Sequence, residues 1–208
     1  MNEFIKQGGV VMYPLLAFSV IALAIILERF IYLKRIKLEI PERLMNQVKL
    51  SIREGNTKEI LLLFNKNKSP IYQILAKGIE NWENGYPDIE REIEEVKMSE
   101  LPEMGRRLPL LHFIGIMSPS LGLLGTVTGM IKTFHFLSLQ VESQQLAQGI
   151  SEALITTAFG LSISIPTLAA YYYFMNKIEH IAVHTEKREL ELIHYVQKLV
   201  EVDAQIQD

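Results

Sequence analysis

The chain has 208 residues, 22% of them charged, a net charge of −3 and no cysteine. Its length suits one domain of ordinary size, and the missing cysteine excludes disulfides, iron–sulfur clusters and a thiolate nucleophile. The weakly acidic balance argues against a general nucleic-acid binder.

The charges are segregated. Residues 10–27 carry none, residues 108–131 carry only His112, and residues 153–176 carry none. A bilayer core about 30 Å thick needs roughly 20 apolar residues as helix. Backbone groups in lipid must be satisfied internally, so helices are the reading for runs this long. Transmembrane helices are expected at 10–33, 108–137 and 149–176. The first run is long for the apolar part of a secretory signal and no small-x-small pattern follows it, so it reads as a retained span.

Segment 34–107 holds 14 Lys and Arg, among them Lys34, Arg35, Lys37, Arg106 and Arg107 near the membrane ends. Residues 1–9 hold only Lys6. The positive-inside rule places 34–107 in the cytoplasm, with residues 1–9 and the loop 138–148 outside and the tail 177–208 inside.

The cytoplasmic region reads as helical. Residues 42–64 space Leu44, Val48, Ile52, Ile60 and Leu63 along a helical face, with Gly55-Asn56 as a break between two short helices. A further helix over roughly 70–83 ends near the turn Asn84-Gly85-Tyr86-Pro87, and an acidic helix from 88 to 107 is expected to run into the second span. The tail places Ile178, Ile181, Thr185, Leu192, Val196 and Leu199 on one face, as a stalk continuing the third span. No strand pattern occurs. The fold class is all-α: a polytopic membrane protein with three transmembrane helices and a cytoplasmic helical region.

In the second span small residues recur at Gly115, Ser118, Gly122, Gly125 and Gly129, with Thr126 and Thr128 among them. Gly125 and Gly129 form a GxxxG pair, and such stripes let helix backbones approach closely. Pro119 removes a backbone hydrogen bond in mid-span and is a candidate kink. In the third span Glu152, Thr156, Gly160, Ser164, Thr167 and Tyr171 share one face, opposite Leu154, Leu161, Ile165 and Leu168. An acidic side chain at a helix centre costs about 2.5–3.5 kcal/mol to insert. Glu152 is therefore either an interfacial residue reaching water or part of a proton or cation path. The stretch 125–133 has the wrong spacing for a phosphate loop. His180 and His184 lack an evident third metal ligand and read as a solvated face. His112 and His135 read as interfacial. With no nucleophile–base signature, an enzyme is not expected, and no cofactor or metal is implied.

The segments SPSLGLLGTVTGMIKTF (118–134) and GISEALITTAFGLSISIPTLAAYYYF (149–174) together resemble the MotA/TolQ/ExbB proton-channel family, in its ExbB/TolQ branch; LERFIYLKR (27–35) resembles that branch too. The resemblance covers all three spans and is weak over 38–107. It implies a homopentamer enclosing a dimer of a single-span ExbD/TolR-like partner, whose membrane aspartate takes and releases the proton. It also implies that ion flow drives a TonB- or TolA-like protein acting at the outer membrane, from a subunit in the bacterial inner membrane. By position it places the polar pore residues on Thr126, Glu152 and Thr157, and matches Pro166 to the proline ending the third-span block. The family usually has a small apolar residue where Thr156 stands, so Thr157 ranks first and Thr156 stays beside it. A four-span flagellar stator is disfavoured by the three spans. A membrane scaffold without conduction is the other reading, and the choice between proton and sodium stays open.

Overall fold

In a computed structural model of the chain, residues 9–36, 40–67, 69–83, 89–138 and 143–207 are described. Every regular element among them is helical. These elements are α1 (Met12–Arg35), α2 (Glu42–Glu54), α3 (Lys58–Asn65), α4 (Pro70–Glu83), α5 (Ile89–Gly105), α6 (Leu108–Ser138) and α7 (Ser143–Gln207). Three stretches are long and apolar enough to cross a membrane, lying within Met12–Arg35, Ile89–Ser138 and Leu146–Glu201. The protein is a membrane protein of all-α class.

The chain divides into two compact units, one of Met1–Ile31 with Arg107–Met175 and one of Tyr32–Arg106 with Asn176–Asp208. In the first unit, α1 tolerates Pro14 because it falls in the first turn, where backbone N–H groups have no helical partner. Phe18 of α1 meets Phe113 of α6 edge-on, with ring centroids 6.1 Å apart. Glu28 of α1 forms an ion pair with Arg107 at 2.8 Å. Much of the rest of α1 is bare apolar surface, including Val20, Leu23, Leu27 and Phe30. An all-round apolar helix with so little covered is suited to lipid rather than water.

The second unit has a conventional water-soluble core. Helix α2 stops at Gly55, which adopts φ +68°; its N–H donates to the Ile52 carbonyl and the Asn56 N–H to the Ser51 carbonyl. That paired closure is the left-handed glycine stop that the Gly55-Asn56 break predicts. Met45, Val48 and Ile52 of α2 and Ile60 of α3 are buried. Leu63 departs from the expected face: it is exposed, and Phe64 is buried instead, its ring edge-on to Tyr72 at 5.1 Å. The core continues through Ile74, Leu75, Ile79 and Ile93 to Leu192, Ile193 and Val196 of α7. Gly78 lets α4 sit against Ile93 and Leu192, since a Cβ there would stand 2.7 Å from the Ile93 Cδ1. The turn expected at Asn84-Gly85-Tyr86-Pro87 lies outside the described residues.

Two boundaries differ from expectation. The acidic helix does not run unbroken into the second apolar stretch: α5 ends at Gly105, Arg106 and Arg107 form a turn, and α6 starts at Leu108. Pro109 explains the break, because it has no N–H to give the Gly105 carbonyl. Helix α7 begins at Ser143, earlier than expected, and continues without interruption to Gln207, past Pro166. The tail is therefore one helix with the third apolar stretch. Ile181, Thr185, Leu192 and Val196 on it are buried, as their spacing predicts.

Candidate functional site

The site is the seam between α6 and the first half of α7, within the first unit. Glycines set its width. A Cβ on Gly160 would lie 2.5 Å from the Ser118 carbonyl oxygen and 3.2 Å from the Gly122 Cα. On Gly122 it would meet the Thr157 Cα and the Thr156 carbonyl oxygen, each at 3.0 Å. On Gly129 it would stand 2.9 Å from both the Ala153 Cβ and the Gly149 carbonyl oxygen. Gly125 faces the Thr156 side chain in the same way. The small-residue stripe of the second apolar stretch thus brings two backbones of one chain into contact, which is what such stripes do in lipid.

The polar face of α7 lies in this seam. Thr156, Gly160, Ser164 and Thr167 are all buried, while Leu154, Leu161 and Ile165 are exposed on the other side. Leu168 departs from that outer face. It lies one turn beyond Ser164, at the stripe's edge, and fills the space over Gly115.

Two hydroxyls of α7 cross to α6. Thr157 donates to the Gly122 carbonyl at 3.1 Å, and Ser164 donates to the Gly115 carbonyl at 2.6 Å. The rungs are seven residues apart on both helices, so they fall on one line of the contact. Pro119 accounts for the second rung. It cannot donate to the carbonyl four residues back, which is Gly115, and α6 stays a continuous helix around it. Freed backbone groups at membrane prolines are re-satisfied by Ser and Thr side chains of neighbouring helices.

The remaining hydroxyls fold back on their own helices. Thr156 donates to the Ala153 carbonyl at 2.8 Å, and Thr126 donates to the Leu123 carbonyl at 2.6 Å. Thr156 is wholly buried against Gly125, whereas Thr126 and Thr157 are only half-buried. Pro166 stands on the exposed side of α7.

Glu152 closes one end of the seam. Its carboxylate accepts Lys132 Nζ at 2.6 Å, with the glutamate side chain 17% exposed and the lysine 47%. The backbone turn at Gly9, with φ +65°, comes so close that a Cβ there would collide with the Glu152 carboxylate. At the other end His112 stacks on Tyr171, with centroids 4.5 Å apart. Sequence reasoning missed both Lys132 as the partner of Glu152 and Ser164 as the donor to Gly115. The register holds the missing signal: with Gly129 against Ala153 and Gly125 against Thr156, Lys132 falls beside the turn that carries Glu152. Among the described residues no group of three or more His, Asp or Glu is placed to hold a metal ion.

Residues 66–187, which contain this seam, match the MotA/TolQ/ExbB proton channel family. A Synechocystis protein described as putative biopolymer transport protein ExbB-like 3 is 34% identical over 166 residues, covering 77% of this chain and 78% of its own. A putative biopolymer transport protein ExbB homolog of Methanothermobacter thermautotrophicus is 29% identical over 177 residues, 85% of this chain. The chain spans 63% of that relative's length. The Tol-Pal system protein TolQ of Haemophilus influenzae is 43% identical over 74 residues, 35% of this chain and 32% of its own. With three apolar helices and a match over more than half its length, the chain belongs to the MotA/TolQ/ExbB proton channel family.

Proposed function

We propose that this chain is the channel-wall subunit of an ion-driven motor in the bacterial inner membrane, converting a proton gradient into mechanical work. The observation that carries the reading is the carboxylate of Glu152 at the end of the hydroxyl-lined seam, inside the segment that matches the family. In this reading five copies surround a dimer of a single-span, ExbD/TolR-like partner whose membrane aspartate carries the proton. Glu152, Thr126 and Thr157 supply the polar wall. The half-buried state of Thr126 and Thr157 supports that role, and the complete burial of Thr156 supports ranking it below Thr157. The protein is not an enzyme, and its output is motion passed to a TonB- or TolA-like protein for nutrient import or envelope maintenance. The lysine and arginine bias of 34–107 supports a cytoplasmic second unit and an outward Glu152 end. Each unit charge crossing 100 mV supplies about 2.3 kcal/mol, so a substantial stroke couples several ions.

The test is proton uptake into vesicles holding the subunit with its single-span partner. Uptake that disappears when the partner's membrane aspartate is replaced by asparagine supports the motor. A complex that assembles fully and passes no protons is a scaffold, and the proposal falls.

A further inference from the structure

The Lys132–Glu152 pair bears on which ion the subunit accepts, a question that family membership leaves open. A carboxylate at the end of a hydroxyl-bearing seam is by itself a cation ligand, because hard cations take oxygen donors. Here one oxygen of that carboxylate is occupied. Lys132 Nζ lies 2.6 Å from Oε1, and the Gly9 backbone turn crowds the same oxygen. A metal cation reaching Glu152 would meet a like-charged ammonium already paired with a largely buried carboxylate, and would have to fit its coordination shell beside it. A proton needs no such space, because it moves along hydrogen bonds without adding a coordination shell.

We propose that Lys132 is the ion-selectivity residue of this subunit: by holding Glu152 in an ion pair, it denies that carboxylate to sodium and leaves the path to protons. The inference rests on the reading of Glu152 as part of the ion path. Lys132 acts through Glu152, so its charge matters more than its shape, and arginine serves in its place.

The experiment uses the full-length subunit with its single-span partner in proteoliposomes, reading proton uptake and radioactive sodium uptake side by side. Native protein and Lys132→Arg are expected to carry protons and exclude sodium. Lys132→Ala is expected to admit sodium clearly above the background set by the native protein, because charged side chains along a pore set its ion selectivity. Lys132→Ala combined with Glu152→Gln is expected to exclude sodium again. A Lys132→Ala protein that conducts protons and still excludes sodium overturns the proposal.

A second measurement does not depend on conduction. In detergent, sodium chloride against choline chloride at equal ionic strength is expected to raise the melting temperature of Lys132→Ala, and not that of the native or doubly substituted protein. No sodium-specific rise in Lys132→Ala overturns the inference. Absence of proton uptake by the native complex instead overturns the motor reading, with the sodium-binding result still deciding the role of Lys132.

Discussion

The Ser164 hydroxyl donates a 2.6 Å hydrogen bond to the Gly115 carbonyl, the group that Pro119 leaves without a helical donor. Serine, glycine and proline on two helices therefore form one unit. Ser164→Ala leaves a buried carbonyl unsatisfied and is expected to destabilise the protein by about 0.6 kcal/mol, and at most about 1.7 kcal/mol, the average and the upper value for hydrogen bonds between membrane helices. Pro119→Ala restores an N–H in reach of Gly115, so the Ser164→Ala penalty shrinks in that background. Unfolding in mixed micelles of the four proteins in this cycle checks the coupling.

The glycines of the seam differ sharply from Gly105. Gly160→Ala forces a Cβ to 2.5 Å from the Ser118 carbonyl oxygen, a backbone atom that cannot rotate away. Overpacking of this kind costs about 1–3 kcal/mol, and the two helices must separate to absorb it. Gly105 has open space around it and no positive φ. Gly105→Ala is expected to be neutral or to stabilise by up to about 1 kcal/mol. Comparative thermal melts of the two variants test the contrast.

Two glutamates on the α7 tail respond to pH with opposite sign. Burial pushes the Glu189 carboxyl above the ordinary value of 4.5, against the pull of Lys97 at 3.3 Å, and the neighbouring Glu94 and Glu186 add to the rise. Lys97 is itself raised: burial opposes its charge, but Glu94 and Glu189 together outweigh it. A carboxyl raised on folding holds its proton more tightly in the native state, so its stabilising contribution is present at acid pH and lost as pH rises through the folded value. Burial also pushes Glu191 up, yet the hydrogen bonds from Lys49 at 2.6 Å and Arg188 at 2.7 Å overcome it and hold that carboxyl low. Its contribution is present near neutrality and lost as pH falls through the folded value. Glu189→Gln is thus expected to remove a gain in melting temperature on acidification, and Glu191→Gln to remove a loss. Melting temperatures of the three proteins between neutral and mildly acidic pH measure both slopes.

Much of this architecture is legible in residue patterns. Charge-free runs mark the apolar helices, Gly55-Asn56 marks a real helix stop, and the glycine spacing of the second run marks a close helix contact. What covers the polar face of α7 is not legible that way. Periodicity places Thr156, Gly160, Ser164 and Thr167 on one side of a helix, but only the pairing with α6 shows them buried within the chain itself. The same pairing brings Lys132 to Glu152 and Ser164 to Gly115. Leu63 and Leu168 show the finer limit: at the edge of a stripe, the neighbour's shape decides which side chain turns inward.

In the proposed motor, Glu152 forms part of the wall along which the proton moves. Proton uptake by partner-containing vesicles, compared between the native subunit and Glu152→Ala at matched assembly, tests it most directly. Glu152→Ala is expected to assemble normally and to abolish uptake. Native uptake rates from fully assembled Glu152→Ala complexes would contradict it.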